Sequence, residues 1–185
     1  MFTDKKSRKI LREVNTSQND ADMLFQIAEE YYDLWKNSNG KRTRYLKESE
    51  KAIKLGLMLD IERQPFFHIL NQNSITIILP KSEVENTDMY FDGFEFYSLV
   101  INELLLHLLK NKVNKIVLSM KNVSCFSDLG PGILAMATSE CKKRNGDLKL
   151  FEIQPAVKKV MTILLDDRIE IYSNLETALM SFESK

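Results

Sequence analysis

The chain has 185 residues, 44% of them hydrophobic, with 26 basic residues balancing 26 acidic ones. That composition fits one or two small globular domains, and a net charge of zero argues against a dedicated nucleic-acid or membrane-surface binder. Two cysteines (Cys125, Cys141) and two histidines (His68, His107) supply neither a disulfide framework nor an evident metal set.

Residues 1–18 are polar and locally basic (Lys5, Lys6, Arg8, Lys9, Arg12), and are expected to be disordered or frayed. They lack the apolar run of a secretory signal, and no apolar stretch reaches transmembrane length, so a cytoplasmic chain without membrane insertion is expected. Asn19 and Asp20 are good capping types. Leu24, Ile27, Ala28, Tyr31, Leu34 and Trp35 follow at helical spacing, and Asn37-Ser38-Asn39-Gly40 breaks the pattern. A second helix is predicted from about Thr43 to Leu59, giving a helical hairpin over 19–63. The positions of Leu24, Ile27, Ala28, Tyr31 and Ala52 resemble one tetratricopeptide unit, but the loop is long for that family and Tyr45 stands where a small residue is expected. A single unit cannot form a solenoid, and a plain amphipathic hairpin satisfies the same pattern.

Gln64-Pro65 ends the helical pattern. Ile75–Leu79 is β-rich and bounded by Pro80, with a second short extended piece over 83–86. A long apolar helix is predicted over about 92–110. Phe94, Tyr97, Ile101, Leu104, Leu105 and Leu108 form one face, while Leu99 and Leu106 lie well off it. One sheet cannot cover both sides, so Leu99 and Leu106 are candidates for contact with the hairpin, a second copy or a partner. The order continues with a strand over 113–120, a Gly-Pro-Gly turn, a helix over 133–144, a strand over 148–153, a helix from Pro155 to Leu165, a strand over 169–172 and a helix over 175–182. The alternation implies an α/β sheet with a largely parallel part.

The junction I-V-L-S-M-K-N-V-S-C-F-S-D-L-G-P-G, Ile116–Gly132, carries the most information. It resembles the STAS domain family, the module of bacterial anti-sigma factor antagonists and of anion-transporter tails, whose form here is an apolar strand, V-S-F-I-D-S-S-G-L-G, then a helix. Pro155–Val160 (P-A-V-K-K-V) and Ile171–Leu179 (I-Y-S-N-L-E-T-A-L) match further family segments. Leu79–Glu85 fits the family's L-x-G-E-L-D corner loosely. The resemblance covers 74–183 and implies a STAS-like mixed sheet with flanking helices, following the hairpin.

What the resemblance implies about function centres on the tip, Ser127, Asp128, Leu129, Gly130, Pro131 and Gly132, with Glu83 and Glu85 as a neighbouring wall. In regulated members the residue before the first glycine is a serine that a kinase partner phosphorylates; here it is Leu129, which has no hydroxyl. Three readings stay open: Asp128 as a fixed negative charge at the helix start, Ser127 as a shifted phosphoacceptor, or an unregulated docking knob to which Leu129 adds an apolar contact. Simple helix capping by Ser127 or Asp128 is compatible with all three. The partner implied is an anti-sigma factor or a histidine-kinase-like ATPase. Alternatives are a scaffold subunit of a larger STAS signalling assembly, which would be homo-oligomeric, or an accessory subunit of a membrane transporter ATPase.

No catalytic role, cofactor or metal is expected. The tip lacks the lysine of a phosphate-cradling loop. Cys125, Cys141, His68 and His107 read as packing or surface residues with no chemical partner at useful spacing.

Overall fold

The computed structural model describes residues 19–39, 41–81, 89–91, 96–126, 129–165 and 168–183. The chain divides into two compact units at Pro65/Phe66. The expected frayed segment 1–18 and the extended piece over 83–86 lie outside the described residues.

The first unit is the expected hairpin: α1 (Asn19–Asn37) and α2 (Thr43–Leu59), closed by a 3-10 turn at Ile61–Arg63. Leu24, Ile27, Ala28 and Tyr31 on α1 are buried, as are Tyr45, Ala52, Ile53 and Leu57 on α2, so each helix buries one stripe. Two details set their close approach. The buried Ser49 hydroxyl donates to the Ala28 carbonyl at 2.7 Å across the pair, and a Cβ on Gly56 would sit 3.0 Å from the Phe25 ring. The Tyr31 and Tyr45 rings stack at 6.2 Å. Asn39 takes a left-handed φ of 51° just past α1, a conformation asparagine tolerates. Arg63 reaches back to Asp22 at 3.2 Å and to Asp60 at 3.5 Å.

The second unit contains a five-stranded sheet in the order β1 (Phe67–Gln72), β2 (Ile75–Pro80), β4 (Lys115–Ser119), β6 (Asp147–Phe151), β7 (Ile171–Tyr172). The first pair is antiparallel and the rest are parallel. A separate parallel pair joins β3 (Met89–Phe91) to β5 (Val123–Phe126). The helices are α3 (Phe96–Lys110), α4 (Leu129–Lys142), α5 (Pro155–Leu165) and α6 (Leu175–Met180).

β1 was not anticipated. It pairs with β2 through the two-residue turn Asn73-Ser74, whose φ values of 49° and 65° are those of the turn that matches strand twist. Without a glycine after Asn73, the sequence gives only a weak turn signal. Phe67 and Ile69 are buried while His68 and Leu70 are exposed. Phe66, Phe67, Phe96 and Tyr97 then form an aromatic cluster, with centroids 5.2–5.8 Å apart between the 66–67 pair and the α3 residues.

The sheet buries both faces. Ile75, Val117, Phe151 and Ala178 form a core on one face, sealed by Leu79, Tyr172, Leu175, Leu179 and Phe182. The alternate residues Ile78, Ile116, Leu118, Leu148 and Leu150 are buried as well.

Two helix ends set where the following strands begin: β4 starts at Lys115, later than the expected 113, and β6 at Asp147, one residue before the expected 148. After α3, Lys112 adopts φ 64°, its N–H bonds the Leu109 carbonyl at 3.0 Å, and the Val113 N–H bonds the Leu108 carbonyl at 3.0 Å. After α4, Asn145 adopts φ 57° and the Gly146 N–H bonds the Cys141 carbonyl at 3.0 Å. Both are left-handed C-terminal caps that satisfy orphan carbonyls. The caps also lock to each other, because Asn114 Nδ2 donates to the Arg144 carbonyl at 2.6 Å and the Arg144 guanidinium donates to the Leu109 carbonyl.

Candidate functional site

The expected Gly-Pro-Gly turn before a helix at Ile133 is corrected: α4 already begins at Leu129, so Gly130, Pro131 and Gly132 form its first turn. Proline suits that place, because its fixed φ is helical and its missing N–H has no intrahelical partner there anyway. Gly130 is buried, whereas Gly132 is exposed. A Cβ at Gly132 would meet nothing within 4 Å. β5 delivers the chain to this turn: its Cys125 and Phe126 pair in parallel register with Tyr90 and Phe91 of β3. Ser127, Asp128, Glu83 and Glu85 lie outside the described residues.

Around this tip the structure adds residues that sequence reasoning did not single out. α5 packs against β5 and against α4. It buries Val157, Met161 and Leu165 yet leaves Val160 (38%), Ile163 (72%) and Leu164 (50%) exposed. The signal was present: seven of the eleven residues of P-A-V-K-K-V-M-T-I-L-L are apolar even without the proline, more than a single buried stripe requires. At the carboxyl end of the main sheet, Glu152 holds a left-handed φ of 55°. Ser119 Oγ donates to its carboxylate at 3.3 Å, and Gln154 Nε2 donates to the Lys121 carbonyl at 3.3 Å.

The remaining candidates separate cleanly. Leu99 is buried and Leu106 is 37% exposed. His68 is exposed on β1. His107 is half-buried on α3, where burial, and then the Lys110 charge, lower its pKa. The Cys141 thiol is buried and pushed up to about 11, so it stays protonated near neutral pH. Among the described residues, no group of three or more His, Cys, Asp or Glu side chains is placed to hold a metal. Among the same residues, no helix is long and apolar enough to cross a membrane.

A cavity of about 200 Å³ opens at the other end of the strands, lined by Lys115, Asn145, Gly146, Asp147, Lys149 and Phe182. Lys149 is completely buried beneath it. Its ammonium is nevertheless satisfied, lying 3.0 Å from the Glu170 carboxylate, 2.5 Å from Ser181 Oγ and 4.2 Å from the Phe182 ring centroid. Tyr172 completes the cluster by donating its hydroxyl to Glu170 at 2.6 Å. This arrangement fastens the end of α6 to the sheet.

Comparison with known proteins places the second unit. Residues 94–178 match the family model of the STAS domain. The fold is similar to that of an anti-sigma-factor antagonist (STAS) domain protein from Planctomyces limnophilus, at 15% identity and TM-score 0.52, over 63% of this chain and 97% of that one. A candidate anti-sigma factor antagonist from Thermotoga maritima aligns at 19% identity and TM-score 0.48, over 63% of this chain and 94% of that one. Comparison with curated protein sequences gives no match. The family match and the parallel sheet in which β5 precedes α4 agree: residues 94–178 match the STAS domain model, and the second unit has a STAS-like fold.

Proposed function

We propose that this chain is a non-catalytic regulator that binds an anti-sigma factor or a related histidine-kinase-like ATPase through the tip Ser127–Gly132. The observation that carries the reading is the junction itself. β5 ends at Phe126 and α4 begins at Leu129, with Leu129-Gly130-Pro131-Gly132 as its first turn, and the backbone at Gly132 is open to an approaching surface. Tips of this kind, held by a rigid strand and helix, are where α/β modules present recognition groups. The exposed Val160, Ile163 and Leu164 on the helix packed against β5 give a partner apolar area to cover. Glu83 and Glu85 would form the adjoining wall if the family corner holds.

Because Leu129 has no hydroxyl, the knob is competent without a phosphorylation switch. The test is affinity capture from a lysate of the source cells with the wild type beside Asp128→Lys. The expected result is a kinase-like ATPase or anti-sigma partner retained by the wild type and lost by the variant. Equal retention by both would remove the tip from the interface. Incubation with the captured partner and ATP, followed by mass spectrometry, is expected to leave the chain unmodified; phosphate on Ser127 would restore a switch.

A further inference from the structure

The loop end of the first unit carries a concentration of positive charge. Between Lys36 and Lys47 there are five basic residues (Lys36, Lys41, Arg42, Arg44, Lys47) and no acidic one. Two of them converge. Arg42 Nη1 donates to the Tyr45 hydroxyl oxygen at 3.2 Å, and Arg44 Nη2 donates to the same oxygen at 3.0 Å. The Arg44 guanidinium also lies 4.8 Å from the Tyr45 ring centroid, and that of Arg42 lies 5.9 Å from it. The ring is buried and stacked on Tyr31, which fixes the point of convergence.

Two guanidinium groups on one neutral oxygen repel each other. Among the described residues, Lys41, Arg42, Arg44 and Lys47 make no ion pair with a carboxylate. α2 also has no acidic residue in its first turn and no capping side chain, so nothing there offsets the cations. The same two donors, Arg44 first, hold the Tyr45 phenol below its ordinary pKa, which reports the positive field at this point. All four cationic side chains are exposed, and each guanidinium keeps most of its five donors for another acceptor.

We propose that the Arg42–Arg44 pair on Tyr45 is a binding site for a compact phosphate group, such as the terminal phosphate or diphosphate of a small phosphorylated molecule. A phosphate dianion matches two guanidinium forks in both charge and geometry, whereas one carboxylate matches a single fork. A nucleic-acid duplex spaces its charges along a ladder and favours cations spread over several turns. Here the cations gather around one phenol. The site belongs to the first unit and stands or falls independently of docking at the tip.

The experiment is calorimetric titration of the full chain with sodium pyrophosphate and with sodium phosphate, at constant ionic strength. One saturable site is expected, tighter for pyrophosphate. Arg42→Gln and Arg44→Gln should each weaken it about tenfold. Tyr45→Phe, which keeps the ring but removes the gathering oxygen, should weaken it several-fold, and Lys51→Gln on the same helix should leave it unchanged. Arg44→Lys, which keeps the charge and loses the fork, should fall between the wild type and Arg44→Gln, with circular dichroism confirming retained helix. Absence of saturable heat, or equal affinity in the Arg42→Gln/Arg44→Gln double variant, would overturn the proposal. So would Arg-dependent sedimentation with phosphatidylglycerol vesicles in the absence of pyrophosphate binding, because the ligand would then be a lipid surface.

Discussion

Gly146 and Gly132 illustrate opposite reasons for a glycine. A Cβ at Gly146 would lie 1.8 Å from the Asn114 carbonyl oxygen, where two helix caps interlock. Gly146→Ala must push that backbone aside and is expected to cost ~3 kcal/mol in urea unfolding. Gly132→Ala meets open space in a helical turn and is expected to raise stability by about 0.5–1 kcal/mol. Lys149 gives a second contrast. Lys149→Met keeps the apolar stem and removes a buried charge, so stability should stay within about 1 kcal/mol of the wild type. Glu170→Ala instead strands the buried ammonium and should cost about 1–3 kcal/mol. Neither residue was legible in advance. Lys149 sits in the strand D-L-K-L-F, where alternation reads a lysine as solvent-facing; only the fold reveals that Ser181, Glu170 and Phe182 cover it.

At the scale of the element, the start of β6 carries a pH dependence. Burial raises the Asp147 carboxyl above its ordinary value, with Lys142 opposing from 3.9 Å. A raised acid disfavours folding once it must ionise. Its penalty is absent below the unfolded value, grows as pH rises toward the folded value, and is constant above that. Asp147→Asn is therefore expected to be more stable than the wild type at about pH 7, with the difference vanishing toward about pH 3. Urea midpoints at both pH values measure it. The helices and central strands were readable because their apolar spacing is dense, as in I-V-L-S and L-K-L-F. Boundaries were legible only in part: Asn145-Gly146 announces the end of α4 and does cap it, whereas Lys112 caps α3 in a left-handed conformation that no local pattern announces. β1 escaped notice for a related reason: its hairpin turn uses Asn-Ser, and its alternation is only four residues long.

For the whole molecule, the division at residue 65/66 predicts that residues 66–185, expressed alone, unfold in one cooperative transition, since the sheet, its helices and the aromatic cluster all lie within them. If Leu99 and Leu106 normally meet the hairpin or a partner, that fragment should self-associate in sedimentation; a monomeric fragment would remove that expectation. The family was legible because its matches run in order through the chain, from the strand before the tip to the helix after Asn174. The candidate site was only partly legible. Leu129 in place of a serine is plain in the sequence, and so is the apolar excess of α5, but which of its apolar residues stay exposed appears only once β5 is seen to pack against it.

The fastening of Lys149 by Ser181 and Phe182 has a consequence for synthesis on the ribosome. One face of the sheet is sealed by some of the last residues of the second unit to emerge, so its central strands must wait, partly uncovered, while nearly all of that unit is translated. Until Ser181 and Phe182 emerge, the Lys149 ammonium lacks two of the groups that cover it.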